Sequence, residues 1–257
     1  MQADRRGSLT AADVTVRYGG VVANDQVSLQ ADPGTIVGLI GPNGAGKTSF
    51  IDAITGFTPA SGTVRIGDVR LDGMAPHARR RAGLARTWQS GELFSSLSAV
   101  DNVRVAAEAA GWRALLRDLG RRPSSSTAAA MAALGRVGLD AEAGRETKDL
   151  PLGQQKLIGV ARALVGDPLA ILLDEPAAGL DTTESRELGR QLREITSDGP
   201  AMLLVDHDMD LIFEICDRVY VLDFGKVVAT GTPAEVRADE RVRSAYLGTS
   251  AARMGAA

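Results

Sequence analysis

Gly41-Pro42-Asn43-Gly44-Ala45-Gly46-Lys47-Thr48 follows the apolar run Thr35 to Ile40 and precedes a helical pattern that opens at Lys47. The octet fits G-x-x-x-x-G-K-[ST], and its place between a strand and a helix counts for more than the match itself. Glycines let the backbone aim successive N–H groups at phosphate oxygens, and the helix N-terminus adds its dipole. Lys47 is then placed to reach β- and γ-phosphates, and the Thr48 hydroxyl to hold Mg²⁺.

Outward from this loop, short apolar runs predict strands at Thr35 to Ile40, Ala170 to Asp174, Ala201 to Asp206, Arg218 to Asp223 and Lys226 to Ala229. The middle runs are almost continuously apolar, as in strands covered on both faces. Helical patterns start at Lys47, Gln154 and Thr183. Alternation of this kind predicts an α/β fold with a parallel central sheet. Val14 to Ala31 and Thr63 to Leu71 alternate around glycine turns and read as an antiparallel portion. Residues 100 to 148 are rich in Ala, Arg and Leu and read as an inserted helical subdomain. Within it Arg113, Arg117 and Arg121 recur at helical spacing. A solvated face is the ordinary reading of that series, contact with acidic lipid head groups the other.

Ile171-Leu172-Leu173-Asp174-Glu175 is a buried strand ending in two carboxylates. Beside a phosphate loop, an aspartate at such a strand end holds Mg²⁺, and Glu175 is placed to polarise a water for attack on the γ-phosphate.

Composition narrows the remaining classes. A net charge of -3 gives no electrostatic basis for nucleic-acid binding, and one cysteine, Cys216, allows no internal disulfide. Cys216 lies in an apolar helical stretch and reads as a packed side chain. The apolar runs are of strand length, far short of the roughly 20 residues a bilayer span needs. MQADRRGSLTAAD has no apolar h-region, so no signal peptide is expected and the cytosol is the default compartment.

The ordered set of motifs resembles an ATP-binding subunit of an ABC transporter over nearly the whole chain. Tyr18, in Val16-Arg17-Tyr18-Gly19-Gly20, matches the aromatic that stacks on adenine. Gln89, in Arg86-Thr87-Trp88-Gln89, matches the glutamine that touches Mg²⁺ and couples to the membrane subunit. Ala178-Gly179-Leu180-Asp181 matches the D-loop, and His207 the switch histidine that contacts the γ-phosphate. Leu150-Pro151-Leu152-Gly153-Gln154 stands where such subunits carry a signature LSGGQ, with Pro151 and Leu152 replacing serine and glycine. The resemblance implies that this helix start faces the γ-phosphate held by a second ATP-binding subunit in a head-to-tail dimer.

From this resemblance we expect a single ABC ATPase domain over residues 8–249, with a P-loop core of 8–99 and 150–249, an antiparallel β subdomain and a helical subdomain at about 100–149. Flexible tails are expected at 1–7 and 250–257. The implied ATP contacts are Tyr18, the loop from Gly41 to Ser49, Gln89, Leu150 to Gln154 and Asp181; those of the metal are Thr48, Gln89 and Asp174; Glu175 and His207 are the catalytic pair. Subgroup features point toward branched-chain amino acid importers: Arg17 to Asp25, Thr87-Trp88-Gln89, Val100-Asp101-Asn102-Val103, His207-Asp208-Met209 and Ala245-Tyr246-Leu247-Gly248. The implied partners are ATP, permease subunits and an extracytoplasmic binding protein, with the chain peripheral on the cytoplasmic face of the inner membrane. A lipid or lipopolysaccharide exporter ATPase and a soluble ABC ATPase are the alternatives; the latter is disfavoured by one phosphate loop and a short insert.

Overall fold

A computed structural model describes residues 7–87, 93–108, 125–197 and 199–242. Among the described residues, ten strands form two sheets. β1 (Leu9–Tyr18), β2 (Val21–Ala31), β4 (Ser61–Ile66) and β5 (Val69–Arg70) make an antiparallel sheet in the order β2-β1-β4-β5. The central sheet runs β10-β9-β3-β8-β7-β6, with β3 (Ile36–Ile40), β6 (Leu84–Arg86), β7 (Ala170–Asp174), β8 (Ala201–Val205), β9 (Arg218–Asp223) and β10 (Lys226–Gly231). All its pairings are parallel except β10 with β9.

Every residue of β3, β7 and β8 is buried, the consequence of covering both faces of a parallel sheet. Alternate side chains divide between two cores. Ile171, Leu173, Met202, Leu204, Val219 and Val221 enter one, while Leu172, Leu203, Tyr220 and Leu222 enter the other. The second core is closed by α1 (Lys47–Thr55) and the antiparallel sheet. The first is closed by helices: α3 (Ala99–Glu108), α4 (Ser125–Arg136), α5 (Leu152–Leu164), α6 (Thr182–Ser197) and α7 (Met209–Ile215). Cys216 is buried beside β3, and burial pushes its thiol up to about 12, as a packed apolar side chain requires. Among the described residues there are also the short helices α2 (Pro76–Arg81) and α8 (Pro233–Ala238).

Two arginines of α2 lock the layers. Arg79, buried, donates to the last-turn carbonyls of Ala53 and Ile54 in α1 at 2.9 and 2.8 Å. Arg80 donates to Ala163 and Val165 at the end of α5 at 2.8 and 2.7 Å. Each guanidinium meets orphan carbonyls at the negative end of a helix dipole. In the helical layer, buried Asn102 spans the preceding loop, accepting from the Phe94 N–H at 2.8 Å and donating to the carbonyls of Phe94 and Ser98 at 3.0 and 3.1 Å. That is a structural reason for the Val100-Asp101-Asn102-Val103 stretch.

The structure moves two expected boundaries. Gly7, expected in the flexible N-terminal tail, is buried, with room for no Cβ: one would lie 2.9 Å from Gly67 Cα. The helix expected from Gln154 begins at Leu152. Gln89, Trp88, the Arg113, Arg117 and Arg121 series, the stretch Ala245 to Gly248 and the tails 1–6 and 250–257 lie outside the described residues. Among the described residues no helix is long and apolar enough to cross a membrane.

Candidate nucleotide-binding site

The loop Gly41 to Gly46 leaves β3 at the sheet's carboxyl edge and ends at the N-terminus of α1. Its glycines are required for different reasons. A Cβ at Gly46 would lie 2.4 Å from the Ala23 carbonyl oxygen, so the loop is pressed onto β2; Gly44 has open space but a φ of +84°. Buried Asn24 donates through Nδ2 to the Gly46 carbonyl at 3.1 Å, a contact that sequence reading missed. Lys47 Nζ lies inside the loop, donating to the carbonyls of Gly41 at 2.6 Å and Pro42 at 3.1 Å. Burial lowers its pKa, opposed by the charges of the Glu175 and Asp174 carboxylates. Thr48 is exposed and Ser49 partly so, both at the rim of a cavity of about 720 Å³ that also takes in Asn43, Gly44, Lys47, Glu175 and His207.

Asp174 and Glu175 leave β7 together but differ in environment. Asp174 is buried, and Arg86 Nη2 donates to its Oδ2 at 3.0 Å. The same guanidinium donates to Asp52 Oδ1 on α1 at 2.5 Å. Burial raises the Asp174 pKa, Arg86 pulls it down by hydrogen bond and charge, and Glu175 and Asp52 push it up again. Arg86 was not singled out from sequence; an arginine ending a strand carries no signal until β6 is seen beside β7.

Glu175 has a left-handed φ of 49°, uncommon for a residue with a side chain. Its N–H is tied to the Val205 carbonyl at 2.7 Å, which holds that turn in place. His207 Nε2 lies 2.7 Å from Glu175 Oε1, so the two residues read as a catalytic pair are in contact. Asp206, also missed from sequence, braces both: its Oδ2 accepts from the Ala177 N–H and its Oδ1 from the Asp208 N–H, each at 2.9 Å.

A profile described as ABC transporter matches residues 24–178, and one described as branched-chain amino acid ATP-binding cassette transporter matches residues 226–252. The chain belongs to the ABC transporter family. It is 37% identical over 248 residues to the high-affinity branched-chain amino acid transport ATP-binding protein LivG of Escherichia coli, covering 93% of this chain and 97% of that one. The corresponding BraF protein of Pseudomonas aeruginosa is 36% identical over 251 residues, covering 95% and 98%. Among solved structures, the ADP conformation of an ATP-binding cassette of an ABC transporter superposes with a TM-score of 0.84 at 26% identity, covering 94% of this chain and 99% of that one.

In this ABC protein the signature stretch opens α5. Pro151 is the N-cap residue, one position before the first turn in which it was expected, because its ψ of 151° is extended; its carbonyl accepts the Gln155 N–H at 3.0 Å. Proline has no side-chain acceptor to cap the helix, so the first N–H groups of α5 have neither an intrahelical nor an N-cap partner. The start of α5 also meets the loop before α6: a Cβ on Gly179 would lie 3.3 Å from Leu152 Cδ2. Leu150 is buried, and Gln154 Oε1 is buried without a hydrogen-bond partner. Asp181 caps α6: its Oδ1 accepts from Thr183 and Glu184 N–H at 2.8 and 2.9 Å. Tyr18 ends β1 half-exposed, its hydroxyl 3.4 Å from Thr58 Oγ1.

Proposed function

We propose that this chain binds and hydrolyses ATP to energise a transporter that imports branched-chain amino acids or similar small polar solutes. The convergence of Lys47, Glu175 and His207 on one cavity beside the phosphate loop, with Asp174 next to Glu175 at the end of β7, is the observation that carries the ATPase reading. Whole-length similarity to LivG and BraF supports the cargo class.

Backbone N–H groups of Gly44 to Thr48 and the α1 dipole bind the phosphates, and Lys47 swings from its carbonyl contacts to the β- and γ-oxygens. The Thr48 hydroxyl and the Asp174 carboxylate are hard oxygen donors that fit Mg²⁺, which would neutralise developing phosphate charge. A cation held mainly through substrate phosphates and water needs few ligands from the protein. Gln89 is assigned as a further oxygen donor. Glu175 accepts a proton from the attacking water, and His207 holds the Glu175 carboxylate and reaches the γ-phosphate.

The free N–H groups at the start of α5 support a shared site, in which Gly153 and Gln154 of one subunit meet the γ-phosphate of the other. Asp181 and Tyr18 are assigned to the D-loop contact and to adenine stacking. The working assembly is a peripheral subunit on the cytoplasmic face of the membrane, with permease subunits, a second ATP-binding subunit and an extracytoplasmic binding protein.

Affinity purification of the full chain from its native membrane tests this directly. Permeases and a solute-binding protein should copurify, and the reconstituted complex should take up leucine, isoleucine or valine only with ATP. Recovery of a lipid-exporting permease without a binding protein would replace import with export.

A further inference from the structure

The turn joining β9 to β10 holds an anomaly. Asp223 pairs with Lys226, so the loop is the two residues Phe224 and Gly225, and both have positive φ, at 42° and 77°. This is the pattern of a type I′ hairpin, which favours Asn-Gly because a bulky side chain is strained in the left-handed region. Gly225 satisfies the rule and is also sterically required, since a Cβ would lie 2.6 Å from the Ala23 carbonyl oxygen. Phe224 breaks it, and the residue is 87% exposed. The aromatic therefore gains no burial to offset its backbone strain, and an observed outlier of this kind invites a search for function.

The turn is anchored to the phosphate loop. Gly225 N–H donates to the Ala45 carbonyl at 2.9 Å, and Asp25 N–H donates to the Gly225 carbonyl at 2.9 Å. Phe224 is thus held by the same backbone that shapes the loop. It lines the phosphate-loop cavity together with Val21, Val22, Asn43 and Gly44. Val21 and Val22 are themselves exposed apolar side chains, and Val21 is the register partner of Tyr18 across the β1–β2 hairpin. One end of the cavity is cationic and rich in N–H groups, and its remaining wall is apolar and aromatic. That is the amphipathic lining a nucleoside phosphate needs.

We propose that Phe224 is a nucleoside-contacting residue of the ATP site, its ring packing on the base or ribose while the phosphate loop holds the phosphates. The assignment rests on the nucleotide reading above and adds to it a second aromatic beside Tyr18. An aromatic contact of this kind is worth roughly a two- to tenfold change in affinity. The ring acts by its face, so tyrosine can replace it, whereas asparagine suits the turn and removes the face.

Equilibrium titrations of the full chain with MgATP and with inorganic tripolyphosphate separate the possibilities. Phe224→Asn should weaken ATP by roughly two- to tenfold, leave tripolyphosphate unchanged and unfold at a temperature no lower than the parent. Phe224→Tyr should bind both as the parent does, and Lys47→Ala should lose both. If Phe224→Asn binds ATP like the parent while Lys47→Ala does not, the Phe224 assignment is overturned and the nucleotide site stands. Equal weakening of both ligands by Phe224→Asn would mean a distorted phosphate loop and would also overturn it. If the parent binds neither ligand, the nucleotide reading fails and takes this inference with it.

Discussion

Replacing Arg86 with methionine should be among the most damaging single changes in this protein, although the residue touches no substrate. Arg86 reaches Asp174 at 3.0 Å and Asp52 at 2.5 Å, and the Arg86 and Asp174 side chains are only 8% and 5% exposed. Methionine keeps most of the volume, so the loss is chiefly of charge and hydrogen bonds. Stripping a buried carboxylate of its partner costs about 3–5 kcal/mol, against a total stability of roughly 5–15 kcal/mol for a typical domain. Asp52 is 28% exposed and can turn toward water, so most of the cost falls on Asp174. Burial already raises the Asp174 pKa above its ordinary 3.8, and Arg86 is the group that opposes the rise. A carboxyl with a raised folded pKa favours the native state below its unfolded value and loses that contribution as pH climbs through the folded value. The deficit of Arg86→Met should therefore widen as pH climbs through the parent's raised Asp174 value toward the still higher value left without Arg86, then level off. Urea unfolding of the full chain across that range measures both quantities. Adding Asp174→Asn should recover a substantial part of the loss, because a neutral amide tolerates the site better than an unpaired charge. A pH-independent loss below about 1 kcal/mol, unaffected by the second substitution, would refute this account of a buried pair holding the Asp174 carboxylate.

Glu175→Gln should keep nucleotide binding and lower steady-state hydrolysis in the assembled transporter by about 10²- to 10⁴-fold, the usual loss for a general base; unchanged turnover would remove Glu175 from that role. Gly153→Asp should fold normally, since a Cβ there meets nothing within 4 Å. It should abolish ATP-driven association with the second ATP-binding subunit, by placing a carboxylate where phosphate must approach, and spare this chain's own ATP affinity; loss of affinity in the isolated chain would refute a shared site. Asp217 accepts from Arg193 at 2.8 and 2.9 Å and from the Ile36 N–H at 2.8 Å. Burial pushes its carboxyl up, but those partners together hold it below 3.8, so Asp217→Asn should be less stable than the parent at neutral pH. That gap should close as pH falls below 3.8 through the depressed value, measured by acid unfolding; a constant gap would show that the carboxylate's charge is not what matters.

Much of this protein was written in local sequence. The run GPNGAGKT dictates its own neighbours, because a glycine loop that presents N–H groups to phosphate works only between a strand and a helix start. The continuous apolar runs at Ala170 to Leu173 and Ala201 to Val205 announced strands covered on both faces, since only such strands can be apolar at every position. The contact of Glu175 and His207 follows less directly: it needs β7 and β8 to be neighbours, which the strand order supplies.

Tertiary structure alone decided the rest. Arg86, Asn24 and Asp206 are ordinary polar residues in sequence, and their roles arise because the fold buries them against carboxylates and loop backbone distant in the chain. The side chain of Leu152 meets Gly179 only when α5 and the D-loop are brought together. Phe224 looks like one more apolar residue between two strands until the register makes it the corner of a two-residue turn, with its ring in water beside the phosphate loop. Periodicity and motif spacing report what each segment does with its own neighbours; long-range hydrogen bonds, buried charge and backbone strain depend on which segments pack together, and those are properties of the folded chain.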